Sequence, residues 1–178
     1  MAVTVFHVAV TCCDDYLTRR RSQRDAHHAQ LDAWRTGGQL VGGGPAPDGR
    51  TVDLVWRARA DDEVARLMAE DLFVIDGLWI SWVLRSFTDF AEPLELPPID
   101  GSRQATIVEG RASDRVKARK ALVDMRDAAK IAFGGVFETG ETLALALTAD
   151  AERARRWFAA TKLWSPRRLS TRPLYYVL

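Results

Sequence analysis

The sequence is poor in the residues from which specialised sites are most often built. It has two cysteines and three histidines among 178 residues. Cys12 and Cys13 are adjacent, and successive strand side chains point to opposite faces, so the two make no normal intrachain bridge. Without a C-x-x-C partner they also form no structural zinc site. Three histidines with no compact carboxylate cluster leave no closed ligand set, so no metal is expected. No phosphate-binding loop and no flavin, haem or nicotinamide signature is visible, so no cofactor is expected. No run approaches the roughly 20 apolar residues of a membrane span, and the N-terminus lacks the basic region and cleavage site of a secretory signal. The expectation is a cytoplasmic protein without a membrane partner.

Net charge is also scarce, at +1. Residues 1–90 carry 10 basic and 13 acidic side chains, and residues 91–178 carry 15 and 11. The surplus gathers in Arg153, Arg155, Arg156, Lys162, Arg167, Arg168 and Arg172. Such a cluster attracts phosphates. The acidic first half and the lack of an interleaved aromatic and basic groove weigh against a nucleic-acid partner.

What is present is a core's worth of apolar residues, 47 % of the chain, arranged with clear periodicity. Residues 3–13 are rich in β-branched residues and read as a strand. Alternation puts Phe6, Val8, Val10 and Cys12 on one face, and Val5, His7, Ala9 and Thr11 on the other, which is read as the more open face. Residues 17–37 carry Arg20, Arg24, His27, Leu31 and Trp34 on one helical stripe, ended by Gly37-Gly38. Strands follow at 39–43 and 51–58, separated by the turn Gly44-Pro45-Ala46-Pro47-Asp48-Gly49. A helix over 61–71 opens on Asp61-Asp62-Glu63, where carboxylates suit the positive helix end, and a strand spans 78–84. The order is β-α-β-β-α-β, the ferredoxin-like unit.

After a proline-containing linker at 91–103, the order repeats: strand 104–109, helix 112–132, strands 133–138 and 143–148, helix 151–161, strand 174–178. Aligning Gly134-Gly135 with Gly43-Gly44 gives an offset of 91 residues. This sets Leu31 on Leu122 and Trp34 on Met125. His27 falls on Ala118, His28 on Arg119 and Pro45 on Val136. The second copy keeps the packing and loses the polar groups.

The candidate site follows from that asymmetry. Imidazole is the side chain whose unperturbed pKa lies near neutrality. His27 shares the stripe of Leu31 and Trp34 and points inward, whereas His28 lies with Asp32 and Arg35 on a solvated side. Arg24, one turn earlier on the inner stripe, wants an anionic partner. Asp71, read at the C-terminus of its helix, is electrostatically misplaced there and calls for an offsetting contact. Side-by-side packing of the two helices makes a His27–Asp71 pair geometrically possible, with the carboxylate fixing the imidazole tautomer. Gly43 and Gly44 allow close backbone approach to a ligand, and His7 and Cys12 are further candidates for the pocket wall.

As an ordered set these residues resemble the YciI-like (YCII-related) proteins. The resemblance rests on Arg24-x-x-His27 followed by Leu31, on Gly43-Gly44-Pro45, on Asp71 with Phe73 two positions on, and on Gly77-Leu78-Trp79, and it covers about residues 3–88. The family usually has Asp-Pro-Tyr or Asp-Pro-Phe where this chain has Asp71-Leu72-Phe73, and His-Leu where this chain has His27-His28. It implies a dimeric α+β barrel of ferredoxin-like units with His27 and Asp71 lining a pocket. Some relatives look like small-molecule lyases or dehalogenating enzymes acting on aromatic or hydroxylated rings. The expected architecture is therefore an α+β chain of two ferredoxin-like repeats, 1–90 and a degenerate 104–178, forming an intrachain pseudo-dimer, whether monomeric or further paired as a homodimer. The expected function is a cofactor-independent lyase, isomerase or dehydrohalogenase-like enzyme acting on a small cyclic or carboxylated metabolite, with noncatalytic small-ligand binding as the alternative.

Overall fold

The computed structural model describes residues 3–95 and 103–176. Most of the linker at 91–103, and the last two residues of the final strand, lie outside the described residues. The chain divides into two compact units. The first holds residues 3–86 and 175–176, and the second holds 87–95 and 103–174.

The first unit contains β1 (Thr4–Cys12), α1 (Tyr16–Arg19), a 3-10 turn (Arg20–Ser22), α2 (Arg24–Thr36), β2 (Leu40–Pro45), β3 (Thr51–Ala58), α3 (Asp61–Ala69), α4 (Leu72–Ile75) and the start of β4 (Trp79–Ala91). Its strands are antiparallel in the order β2-β3-β1-β4. Val8 pairs with Leu54 on one side and Leu84 on the other. Phe6, Val8, Val10 and Cys12 enter the core against Leu31 of α2 and Val64, Leu67 and Met68 of α3. Burying a side chain such as Leu31, 4 % exposed, stabilises the unit by about 1.5–3 kcal/mol.

Three local features differ from the expectations above. The helix expected over 17–37 is broken at Gln23, whose φ of −119° and ψ of 0° interrupt the path between the 3-10 turn and α2. The Ser22 hydroxyl donates to the Arg19 carbonyl, the local side-chain bonding by which serine competes with helix continuation. The helix expected to close on Asp71 stops at Ala69 instead, and Asp71 is the N-cap of α4, its carboxylate accepting from the Phe73 N–H. Asp71 therefore sits at a helix N-terminus, where negative charge is favoured. Finally, His7 is fully buried rather than on an open face.

From Phe87 onward β4 pairs with β6 (Ile131–Phe137). The second unit adds β5 (Arg103–Arg111), α5 (Arg115–Asp127), β7 (Glu141–Ala146), α6 (Ala151–Ala160) and β8 (Ser170–Tyr176) as far as Leu174, with strand order β6-β7-β5-β8. Numbered within each unit, both sheets run second, third, first, fourth. The second core gathers Ala118, Leu122 and Met125 of α5 with Ala154 and Phe158 of α6. No helix among the described residues is long and apolar enough to cross a membrane.

Candidate functional site

α2 places His27 on its buried face, 3 % exposed, with Nε2 3.1 Å from Asp71 Oδ2. A carboxylate accepts, so the imidazole presents its Nε2–H to Asp71. The other carboxylate oxygen accepts from the Phe73 N–H at 2.7 Å, and Asp71 is 0 % exposed. The capping turn thus both satisfies and aims the carboxylate. Gln30, one turn beyond His27 on α2, locks the arrangement: its amide donates to the Glu70 carbonyl at 2.8 Å and accepts from the Leu72 N–H at 3.0 Å. It grips the chain on both sides of Asp71.

Aromatic rings confine the imidazole. Phe73 stacks on it, with centroids 3.6 Å apart and planes at 16°, and Trp79 stands edge-on at 5.2 Å. Tyr16 meets Phe73 edge-on at 5.8 Å. With Nε2 committed to Asp71, Nδ1 hydrogen-bonds to none of the described residues, and its lone pair is the one available to a bound molecule.

His27 lines a cavity shared with Tyr16, Arg20, Arg24, His28 and Trp79 and with the wall formed by Gly44, Pro45, Val52 and Leu54. Its interior has about 30 Å³ of room, enough for about two waters or for the polar end of a small molecule. Arg24 is exposed, and Arg20 and His28 are half-buried, so the mouth is cationic while the depth is aromatic and aliphatic. No carboxylate among the described residues pairs with either arginine. The Arg20 guanidinium lies over the Tyr16 ring, 5.3 Å from its centroid.

Burial pushes the Tyr16 phenol above its ordinary range, and Arg20 and the Trp79 N–H oppose part of that rise. The Trp79 N–H itself is buried, with no hydrogen-bond partner of normal geometry. His28 is pushed down from 6.5, first by burial and then by Arg24 and His27, which favours its neutral form at the cavity mouth.

No family model matches the chain, and no curated protein matches it in sequence. Solved structures do share its fold. A monooxygenase-like protein of Lactobacillus acidophilus superposes with a TM-score of 0.63 at 8 % identity, over 100 % of this chain and 95 % of its own. A monooxygenase-like protein of Fusobacterium nucleatum gives 0.60 at 8 %, over 99 % and 94 %. A single-residue variant of chlorite dismutase from Candidatus Nitrospira defluvii gives 0.51 at 15 %, over 98 % and 90 %. The neighbours are dimeric α+β barrel proteins, and at these identities the likeness speaks for fold alone.

Of the residues singled out in the sequence, the structure gathers His27, Asp71, Arg24 and Gly44 around this cavity. Arg24 lies at its mouth and is exposed rather than turned inward. His28, expected on a solvated side, is half-buried on the cavity lining. Gly43 is not on the lining; its φ is +139° and an added Cβ would collide with the Asp53 carbonyl, so it serves the close approach of β2 to β3.

His7 and Cys12 do not line the cavity. His7 Nε2 is 2.7 Å from Asp53 Oδ1, and Arg85 donates to His7 Nδ1 at 3.1 Å. Arginine only donates, so Nδ1 accepts and Nε2–H faces Asp53. Strand alternation puts this cluster on the sheet face away from Val8 and Val10. Burial pushes the Cys12 thiol from 9.0 up to about 12, which keeps it protonated and unreactive at neutral pH.

Tyr16, Arg20 and Trp79 are polar-tipped cavity residues to which the sequence assigned no site role. Carrying the inner stripe one turn back from Arg20 reaches Tyr16, which was the available signal. Trp79 entered only as part of the Gly77-Leu78-Trp79 lead into a strand, with no role in the site.

Proposed function

We propose that this protein is a small-molecule enzyme of lyase or isomerase type that moves protons with His27. Nδ1 of His27 takes a proton from the substrate, and Asp71 holds the tautomer and stabilises the imidazolium that forms. Arg24 draws an anionic substituent to the cavity mouth, and Gly44 and Pro45 form the wall against which the substrate packs. The substrate is a small cyclic or carboxylated metabolite. The observation that carries this reading is the buried His27–Asp71 pair, with the second imidazole nitrogen left to a cavity that two arginines flank. The same reading makes the chain a YciI-like unit, residues 1–90, fused through 91–103 to a degenerate copy, residues 104–178. It then works as a monomeric pseudo-dimer or as a homodimer, without a nucleic-acid partner.

The test uses proton nuclear magnetic resonance in D2O on a panel of small carboxylated and cyclic carbonyl compounds. The wild-type protein is expected to wash deuterium into one C–H position, or to convert the compound. His27→Gln, which retains a donor toward Asp71, is expected to lose that activity. Saturable binding without exchange, or exchange unchanged in His27→Gln, overturns the reading; the first result would leave a noncatalytic binding protein.

A further inference from the structure

We infer that Tyr16 and Trp79 form an oxyanion clamp opposite His27, and that the substrate is a small enolisable carbonyl compound carrying a negative group. This rests on His27 being the base and specifies what the base acts upon. The two donors converge from different elements: Tyr16 opens α1 and Trp79 opens β4. Each is 3 % exposed and lines the same small cavity as His27.

The Trp79 N–H is the telling group. A buried donor without a partner is costly and uncommon in a folded protein. Trp79 and Tyr16 line the same cavity, and the Trp79 N–H bears on the Tyr16 phenol without a hydrogen bond of normal geometry to it or to any other described residue. A substrate oxygen placed between them receives one N–H and one O–H hydrogen bond. Arg20, 5.3 Å from the centre of the Tyr16 ring, adds positive potential to the same corner. Donors held in place before the reaction favour charge that develops during it. The Trp79 ring stands 5.2 Å from His27, edge-on, so one compact carbonyl group reaches both the clamp and the base.

The step balances without any added reagent. The C–H bond next to the carbonyl breaks and its proton goes to His27 Nδ1. The bonding pair becomes the C=C bond of the enolate, while the carbonyl π pair moves onto the oxygen held by Tyr16 and Trp79. Where a C=C bond conjugates with the enolate, return of the proton to its far carbon as the carbonyl re-forms completes an isomerisation. Departure of a leaving group with its bonding pair completes an elimination. Arg24 at the mouth meets the substrate's negative group.

The test takes para-nitrophenol as a probe, because its phenolate mimics an enolate oxygen and absorbs at longer wavelength than the neutral form. At a pH where the free probe is mostly neutral, the wild-type protein is expected to bind it as the phenolate. Tyr16→Phe should weaken binding about 10- to 100-fold and return the bound probe to its neutral form. Arg20→Met, at a half-buried position that leaves both donors in place, should weaken phenolate binding by a smaller factor. His27→Gln should lose deuterium exchange yet keep phenolate binding, so failure of the clamp and failure of the base are read separately. A wild-type protein that binds no phenolate, or a folded Tyr16→Phe protein that binds it as tightly as wild type, overturns the proposal.

Discussion

Two helices of this molecule invite direct comparison, because α2 and α5 are each 13 residues long and begin 91 residues apart. Leu31 and Leu122 are buried at the same point of each, and His27 corresponds to Ala118. The turns that follow α3 and α6 correspond as well. Asp71 accepts from the N–H two residues on, that of Phe73, and the Thr161 hydroxyl accepts from the N–H two residues on, that of Leu163. The local bond is kept in both turns, although Asp71 opens a helix and Thr161 closes one, and only the first has an oxygen to spare for an imidazole. The helix starts differ in the opposite sense. Asp114 caps α5 through the Lys117 N–H, whereas Gln23 gives α2 no side-chain cap, although a good cap is worth about 1 kcal/mol. The second unit is the better-finished fold, and the first departs from that finish around its cavity.

The sharpest way to break the comparison is to make the first unit resemble the second. His27→Gln should lower turnover about a hundredfold to ten-thousandfold. Ala118→His should create no activity in return, because Thr161 supplies no carboxylate. Steady-state kinetics on a substrate found by deuterium exchange checks both.

Asp71→Thr imports the residue of the second unit. It should keep the cap to Phe73, and so the fold, while the rate falls about a hundredfold or more for want of an orienting carboxylate. Circular dichroism alongside kinetics separates the two effects.

The glycines inside β2 and β6 give a smaller, purely structural contrast. Gly43 has φ +139° and meets the Asp53 carbonyl, while its counterpart Gly134 faces Ala144 and Leu122 side chains without a positive φ. Gly43→Ala should cost about 1–3 kcal/mol through backbone strain, before the steric collision is counted. Gly134→Ala should cost less. Urea unfolding of the two variants decides the order.

The smallest effect is a pH dependence confined to the first unit. Folding holds His28 below 6.5, so in acid the unfolded chain takes up a proton that the folded chain resists. Stability from this group is present above pH 6.5 and is lost as the pH falls below it. His28→Gln should flatten the acid side of the stability profile, whereas Arg119→Gln at the matching position of α5 should leave that slope in place.

The succession of strands and helices and the inward placement of His27 and Leu31 on α2 were legible because they depend on local periodicity. The role of Asp71 was not. The sequence offers no glycine or proline between Ala69 and Asp71 to announce the end of one helix and the start of another, so the carboxylate read as a badly placed helix end. His7 was misread for a different reason. Its burial depends on Asp53 and Arg85 arriving from neighbouring strands, and alternation along β1 carries no information about them. Trp79 remained hidden because its unpartnered N–H is a property of packing rather than of spacing.

The break at Gln23 has a consequence for motion. α1 has four residues, far below the length at which a helix persists in water without support, and the buried side chain in it is Tyr16. The segment that carries the clamp's hydroxyl is therefore among the weakest secondary structure in the first unit, while Gln30 ties α2 to both sides of Asp71. Occupancy of the cavity should then register as slower amide hydrogen exchange over residues 16–22, with α2 exchanging as slowly empty as full. Ligand binding would be written in the kinetics of that one turn.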